Sequence, residues 1–230
     1  MHATEPYKPN LIGQTAEIID DINAFQIMNK LELAGRVCYK SEDKIGWVNC
    51  PECHGKVHEC PWKKWHKEEQ IHSSFPFIKR LLHQLHHESV IEHQSITVKF
   101  VTDRGVTHEE VRHRLCSYSQ ESTRYVNYGK SKIKFIIPVD FYFDEEDLQF
   151  LKCVEEQYNR SLERGLSPQQ ARYFLINGIK TEIIHTANLR EWRHIFKLRT
   201  SSKAHPQIQK LMSGLLMMFK SSIPIIFDDI

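Results

Sequence analysis

A chain of 230 residues with 40% hydrophobic and 26% charged side chains can bury one sizeable core and has the composition of an ordinary globular protein. Its formal charge of +2 excludes a global electrostatic drive to wrap nucleic acid, and no apolar run approaches the roughly 18–20 residues that span a bilayer. The first thirty residues lack the basic-then-apolar pattern of a secretory signal, so a cytoplasmic protein with reduced thiols is expected.

In chain order, the first ten residues, with Pro6 and Pro9, read as a loose lead-in. Phe25, Ile27, Met28, Leu31, Leu33 and Val37 follow helical spacing and predict a helix over 23–39. Residues 43–73 are polar, rich in Lys, His, Trp and Cys, and show no sustained period; they read as an insertion, a lid-like excursion from a single domain of 1–230. An amphipathic helix is expected over 77–85. Ser95, Thr97 and Lys99 then alternate with Ile96, Val98 and Phe100, the pattern of a half-buried strand. Asp103-Arg104-Gly105 suggests a turn, and Thr107 with Glu110 a capping box opening a helix over 108–115. A strand is expected over 132–138 and a helix over 143–165 ending at Gly165. Ser167-Pro168-Gln169-Gln170 starts another, expected to stop near Gly178. A strand over 181–187 and helices over 189–199 and 206–218 complete the reading. The class is α+β, with a central, largely antiparallel sheet flanked by helices.

The segment from Arg112 to Tyr125 carries the chemistry. Arg112, His113, Arg114 and Arg124 fall within thirteen residues, with four serine or threonine hydroxyls and no aspartate. Guanidinium forks match phosphate or carboxylate, so an anionic ligand such as a nucleotide is indicated. The same residues also fit a helix C-terminus decorated with cations, and spacing by itself names no reaction.

Arg112-His113-Arg114, seven residues, then Ser122, continued by Thr123-Arg124-Tyr125, resembles the RHRx7S signature of the flavin-dependent thymidylate synthase (ThyX) family. His86-His87-Glu88-Ser89-Val90-Ile91-Glu92-His93 resembles its HxExxxEH block, and Asn188-Leu189-Arg190 with Lys197-Leu198-Arg199-Thr200 its NxR…LR segment. The resemblance covers about 77–210, with a weaker echo at Ala34 to Cys38. It implies a homotetramer with shared active sites, FAD as bound cofactor, and dUMP, NADPH and methylenetetrahydrofolate as substrates, the product being dTMP. It also implies that Glu109, Arg112, Gln120, Glu121, Ser122, Arg124, Arg172 and Arg199 hold dUMP. His87, Ser89, Glu92, Arg112, His113, Arg114, Asn188, Arg190 and His194 match positions around FAD. Of these, the resemblance points to Ser122 and Arg199 as the catalytic residues, Ser122 in a binding and polarising role, because no base is evident to activate it as a nucleophile. The chain departs from the pattern at His194, where some relatives have Asn, at Lys203, where some have His, and at Gln120 and Glu121.

Other signals compete. Cys50, Cys53 and Cys60 with His54 or His58 offer a soft ligand set suited to a structural zinc; the bland reading is a solvent-exposed loop with incidental thiols. Cys38, Cys116 and Cys153 are read as small buried residues. Trp62 and Trp65 among Lys63, Lys64 and Lys67 resemble a base-stacking patch, the basis of an alternative reading as a nucleic-acid-binding module. A nucleotide-binding protein lacking synthase activity is a third reading, against which the intact arginine set argues.

Overall fold

The computed structural model describes residues 8–53 and 56–230, so His54 lies outside it, as does most of the expected lead-in. The elements, in order, are β1 (Asn10–Ile12), β2 (Thr15–Ile18), α1 (Ala24–Val37), β3 (Trp47–Asn49), β4 (Gln70–His72), α2 (Ser74–Lys79, continued by a π turn over Arg80–Gln84) and β5 (Ser95–Asp103). They continue with α3 (Arg104–Glu110), β6 (Cys116–Gln120), β7 (Lys134–Ile136), α4 (Glu145–Glu163), α5 (Pro168–Ala171), β8 (Lys180–Asn188), α6 (Leu189–Arg199), α7 (Pro206–Ser222) and α8 (Pro224–Phe227). The chain divides into two compact units. Among the described residues, one comprises 8–18, Val98–Thr186 and Ser202–Leu211; the other comprises 19–53, 56–97, Ala187–Ser201 and Met212–Ile230.

The first unit contains a four-stranded sheet in the order β2-β5-β8-β6, with β2 antiparallel to β5; β1 and β7 form a separate parallel pair. Alternation along β5 and β8 turns Val98, Phe100, Thr102, Thr181, Ile183 and His185 inward, as a period of two dictates. The opposite phase carries charge. Lys99 pairs with Glu182 at 2.7 Å, and Lys180 with both Glu182 and Glu121 at 2.5 and 2.9 Å. A second apolar cluster joins Tyr128, Phe135, Leu151, Val154 and Tyr158. It is built on the amphipathic face of α4, whose start is fixed by the capping box of Asp144 and Asp147.

In the second unit α6 supplies Trp192 and Phe196, which meet Phe219 of α7 and Phe227 of α8 with ring centroids 5.1–5.7 Å apart. The indole of Trp192 is buried, and its N–H donates to the Ile96 carbonyl at 3.0 Å. Arg193, also buried, is gripped by Asp229 at 2.6 and 2.7 Å, by Glu88 at 3.2 Å and by the Ile226 carbonyl. Between α1 and α2 the packing is tight at Gly35, where a Cβ would sit 2.7 Å from the Phe77 ring.

Several sequence expectations need correction. Residues 43–73, largely exposed, nevertheless carry a small core of their own. β3 and β4 pair antiparallel, with Trp47 opposite His72, and Cys50, Cys53, Cys60, Trp62 and Ile71 are all buried. The fully buried Glu32 of α1 anchors this segment, accepting from the Ser73 hydroxyl at 2.7 Å and from Arg36 at 2.7 Å. Trp62 and Trp65 pack on Phe75, with centroids 6.3 and 5.1 Å away, and the buried Trp62 presents no face for base stacking. The thiols are the reverse of expectation, since Cys38 and Cys153 are exposed and Cys116 is half-buried.

The helix expected over 108–115 starts instead at Arg104. The Asp103 carboxylate accepts from the Val106 N–H at 2.8 Å, while the Thr107 hydroxyl turns back to the Arg104 carbonyl. The helix expected to reach Gly178 stops at Ala171, followed by a 3-10 turn over Arg172–Phe174. Its N-terminal cap forms, with Gln170 accepting from the Ser167 N–H. Beyond it Arg172, Tyr173 and Phe174 are exposed, and a start signal does not propagate a helix that has no face to bury.

Candidate active site

Arg112, His113 and Arg114 lie in the turn between α3 and β6 rather than on a helix. Tyr118 pins that turn: its hydroxyl is 2.6 Å from the Glu110 carbonyl and 3.0 Å from that of His113. His113 is buried while Arg112 and Arg114 are exposed. Beneath the turn lies His185 of β8, whose imidazole is 4.5 Å from the Tyr118 ring and 3.6 Å from the Glu110 carboxyl. Burial, helped by the charge of His113, pushes the His185 imidazole down to about 3, so it is neutral at physiological pH.

After β6 the chain turns again at Ser122, whose carbonyl accepts from the N–H groups of Tyr125 and Val126. The Ser122 hydroxyl accepts from the Arg124 N–H at 3.3 Å, a local turn-making contact. Arg124 is exposed and lies 5.4 Å over the Tyr125 ring. Arg172 donates to the Thr123 hydroxyl at 3.3 Å. Gln120 is held by the hydroxyls of Thr107 and Thr181 at 2.9 and 3.3 Å, and Glu109 is half-buried on α3. Glu109, Arg112, Gln120, Glu121, Ser122, Arg124 and Arg172 thus all belong to the first unit, and Arg199 to the second.

Glu121 is fully engaged. One oxygen accepts from the Tyr128 hydroxyl at 2.6 Å, and the other meets Lys180 at 2.9 Å. Burial first, and then the bond to Glu121, raise the Tyr128 phenol well above its ordinary range, so it stays a donor. Next along this ladder, the bonds from Lys180 and then Lys99 depress the Glu182 carboxyl from 4.5 to about 2. A carboxyl depressed on folding stabilises the fold above its unfolded value, and that stabilisation is lost as pH falls through the folded value. The urea midpoint of Glu182→Gln should therefore lie below the parent's at neutral pH, with the gap closing between about pH 4.5 and 2. A gap independent of pH would show that the ion pairs do not set it. Tyr128, Lys180, Thr107 and Thr181 escaped the sequence reading. The alternation along 180–188 was the available signal, because it puts Lys180 and Glu182 on one face.

The residues around His87 and Asn188 belong to the second unit. Arg190 and Glu92, both exposed, pair at 2.5 Å. Asn188 caps α6 by accepting from the Glu191 N–H at 2.9 Å, a sufficient structural reason for that residue. The His87 ring is 3.5 Å from the Tyr39 hydroxyl, and Ser89 and His194 are exposed. A cavity of about 590 Å³ in this unit is lined by Arg36, Tyr39, Lys44, Phe77 and Arg80 among others, and by none of the residues of the three sequence blocks.

The first group gathers several exposed arginines on the turns either side of β6. Among the described residues no carboxylate pairs with Arg112, Arg114, Arg124 or Arg172, whereas Arg36, Arg190 and Arg193 each have one. Exposed guanidiniums beside hydroxyl and amide donors suit an anion bearing further polar groups.

Among the described residues no helix is long and apolar enough to cross a membrane. The family profile described as "Thymidylate synthase complementing protein" matches residues 23–225. A flavin-dependent thymidylate synthase from Pyrococcus furiosus is 33% identical over 165 residues, 67% of this chain and 68% of that one. Another from Mycobacterium avium is 29% identical over 220 residues, 86% of this chain and 78% of its own. Thymidylate Synthase X from Helicobacter pylori, solved with FAD and dUMP, shares the fold. Its TM-score is 0.69 at 19% identity, covering 94% of this chain and 98% of that one. A UMP/dUMP methylase from Streptomyces cacaoi, bound with 5-bromo-dUMP, gives the same TM-score at 21% identity, covering 95% of each chain. With a profile match over most of its length and a relative one-third identical, the chain belongs to the flavin-dependent thymidylate synthase family.

Proposed function

We propose that this chain catalyses the reductive methylation of dUMP to dTMP. A one-carbon unit passes from methylenetetrahydrofolate to the uracil ring, and two electrons, delivered by NADPH through FAD, reduce it to the methyl group. Tetrahydrofolate, NADP⁺ and oxidised FAD are released or regenerated. The single observation that carries this assignment to the site is the set Arg112, Arg124 and Arg172, which among the described residues have no carboxylate partner, with Arg124 bonded to Ser122 and Arg172 to Thr123. Bound flavin supplies the redox chemistry, while the protein supplies orientation and electrostatics.

The residue roles follow from donor chemistry. Arg112, Arg124 and Arg172, with Arg199, bind the phosphate and the uracil carbonyls, where they also stabilise charge that develops as the ring is activated. Gln120 is presented rigidly by two threonine hydroxyls. Glu121, engaged on both oxygens, holds its strand end in place and offers the backbone to the ligand. Ser122 shapes the turn and binds substrate without acting as a nucleophile. His87, Ser89, Glu92, His113, Arg114, Asn188, Arg190 and His194, with Arg112, surround FAD.

The active unit is a homotetramer in the cytoplasm, with sites shared between subunits. Leu115 and Tyr125, neighbours of Arg114 and Arg124 in sequence, are 76% and 77% exposed and are available for contacts between subunits. Free cysteines suit a reducing compartment.

Absorbance spectroscopy of the purified protein tests the proposal. A flavin band that shifts when dUMP is added is the expected result. A colourless protein that takes up neither added FAD nor dUMP would overturn it.

A further inference from the structure

The sulfurs of Cys50, Cys53 and Cys60 and a ring nitrogen of His66 all lie within 4.8 Å of one another, inside the 43–73 segment. We propose that these four side chains bind one structural zinc ion. The proposal is independent of the nucleotide chemistry above, since none of the four is assigned to dUMP or FAD.

The thiols are buried, free and convergent. Cys50 Sγ and Cys60 Sγ are 3.7 Å apart. A disulfide requires about 2.05 Å. Two thiolates on a tetrahedral zinc, each about 2.3 Å from the metal, stand roughly 3.8 Å apart. The observed separation matches the second geometry, and a Cys50–Cys60 disulfide would leave Cys53 and His66 without purpose.

His66 supplies independent support. Both its ring nitrogens are buried without a hydrogen-bond partner among the described residues. Burying an imidazole with neither nitrogen satisfied is costly, and a metal bond to one of them removes part of that cost. His58, the other histidine considered from the sequence, is 79% exposed and lies 3.4 Å from Glu59. It stands outside the cluster, and His66, six residues beyond Cys60, takes its place.

The ligand chemistry selects the ion. Three thiolates and one imidazole form a soft, four-ligand set, typical of zinc sites with no open coordination position. The role is therefore structural. The local architecture agrees: two three-residue strands and short 3-10 turns cannot build much core, and small segments of this kind rely on a staple. Zinc binding releases the three thiol protons and leaves the cluster with one net negative charge; Lys63, Lys64 and Lys67 in the same segment offset it.

The test is metal analysis of the full-length protein purified without chelators. About one zinc per chain is expected, with Co²⁺ replacing it to give the spectrum of a tetrahedral, sulfur-rich site. Cys60→Ser and His66→Ala should fall below about one-tenth of an equivalent, while His58→Ala keeps the metal. If the ligand variants fail to fold, the parent protein still decides the matter. Zinc protection of three of the six thiols from an alkylating reagent, removed by a strong chelator, supports the site. A parent protein with neither zinc nor Co²⁺ uptake, one holding iron instead, or a His66→Ala variant that retains full zinc overturns it.

Discussion

Arg124→Ala is expected to raise the dissociation constant for dUMP roughly ten- to hundred-fold, the loss of about 1.5–3 kcal/mol that accompanies removal of a charge-assisted hydrogen bond. Arg124 is exposed and no carboxylate among the described residues pairs with it; its guanidinium lies over the Tyr125 ring. The substitution therefore removes ligand contacts without leaving an orphaned charge in the fold, and far-UV circular dichroism should not change. Arg124→Lys should recover only part of the loss, because an ammonium lacks the planar two-pronged donor geometry. Calorimetric titration of flavin-loaded protein with dUMP makes the comparison. Parent-like binding by the alanine variant would remove Arg124 from the site.

Trp192→Ala should cost about 3–5 kcal/mol of folding stability, a large share of the roughly 5–15 kcal/mol available to a typical domain. Trp192 is fully buried and packs against Phe196 and Phe219. Removing the indole leaves a cavity between rigid rings and also strands the Ile96 carbonyl that its N–H satisfies. Trp192→Phe should lose much less, since it keeps most of the volume. Urea unfolding of the three proteins measures the series. A loss below about 1 kcal/mol for the alanine variant would place the stabilising core elsewhere.

These two residues show what could be read from the chain. Trp192 sits in α6, whose limits, Leu189 and Arg199, agree with the periodic pattern, because a long element with one buried face leaves a strong trace. β5 and β8 were legible for the same reason, their alternation surviving in the burial pattern. The shorter pieces were not. β1, β2 and β6 have three to five residues, too few for a period to stand out. β6 moreover turns Cys116, Tyr118 and Gln120 to its more sheltered face, a set without an apolar signature. The misplaced start of α3 reflects competing caps: Asp103 and Thr107 both fit the N-terminal pattern, and geometry favours Asp103.

The candidate site divides likewise. The arginines and Ser122 were visible as a spaced motif. Their supports, Tyr118, Thr107, Thr181 and Lys180, come from α3 and from two strands far apart in the chain; the alternation along 180–188 marks the faces of Thr181 and Lys180 but not the residues they meet. The sequence offered His54 or His58 as fourth ligand because separation along the chain was the available guide, and it did not single out His66. A 3-10 turn over Lys63–Trp65 brings the later histidine back toward the thiols.

The pairing of Trp47 with His72 means that the chain leaves and re-enters the rest of its unit at nearly one place. What lies between hangs from that pairing and meets α2 through Glu52 on Lys79 and Trp62 and Trp65 on Phe75, so its length is free to change only outside those contacts. This is the geometry of a cassette. Such a segment opens and closes as its own cooperative unit, so its amides should exchange with solvent on a separate schedule from those of α6. It also gives an evolving lineage a place to add or discard a module without redesigning the catalytic framework.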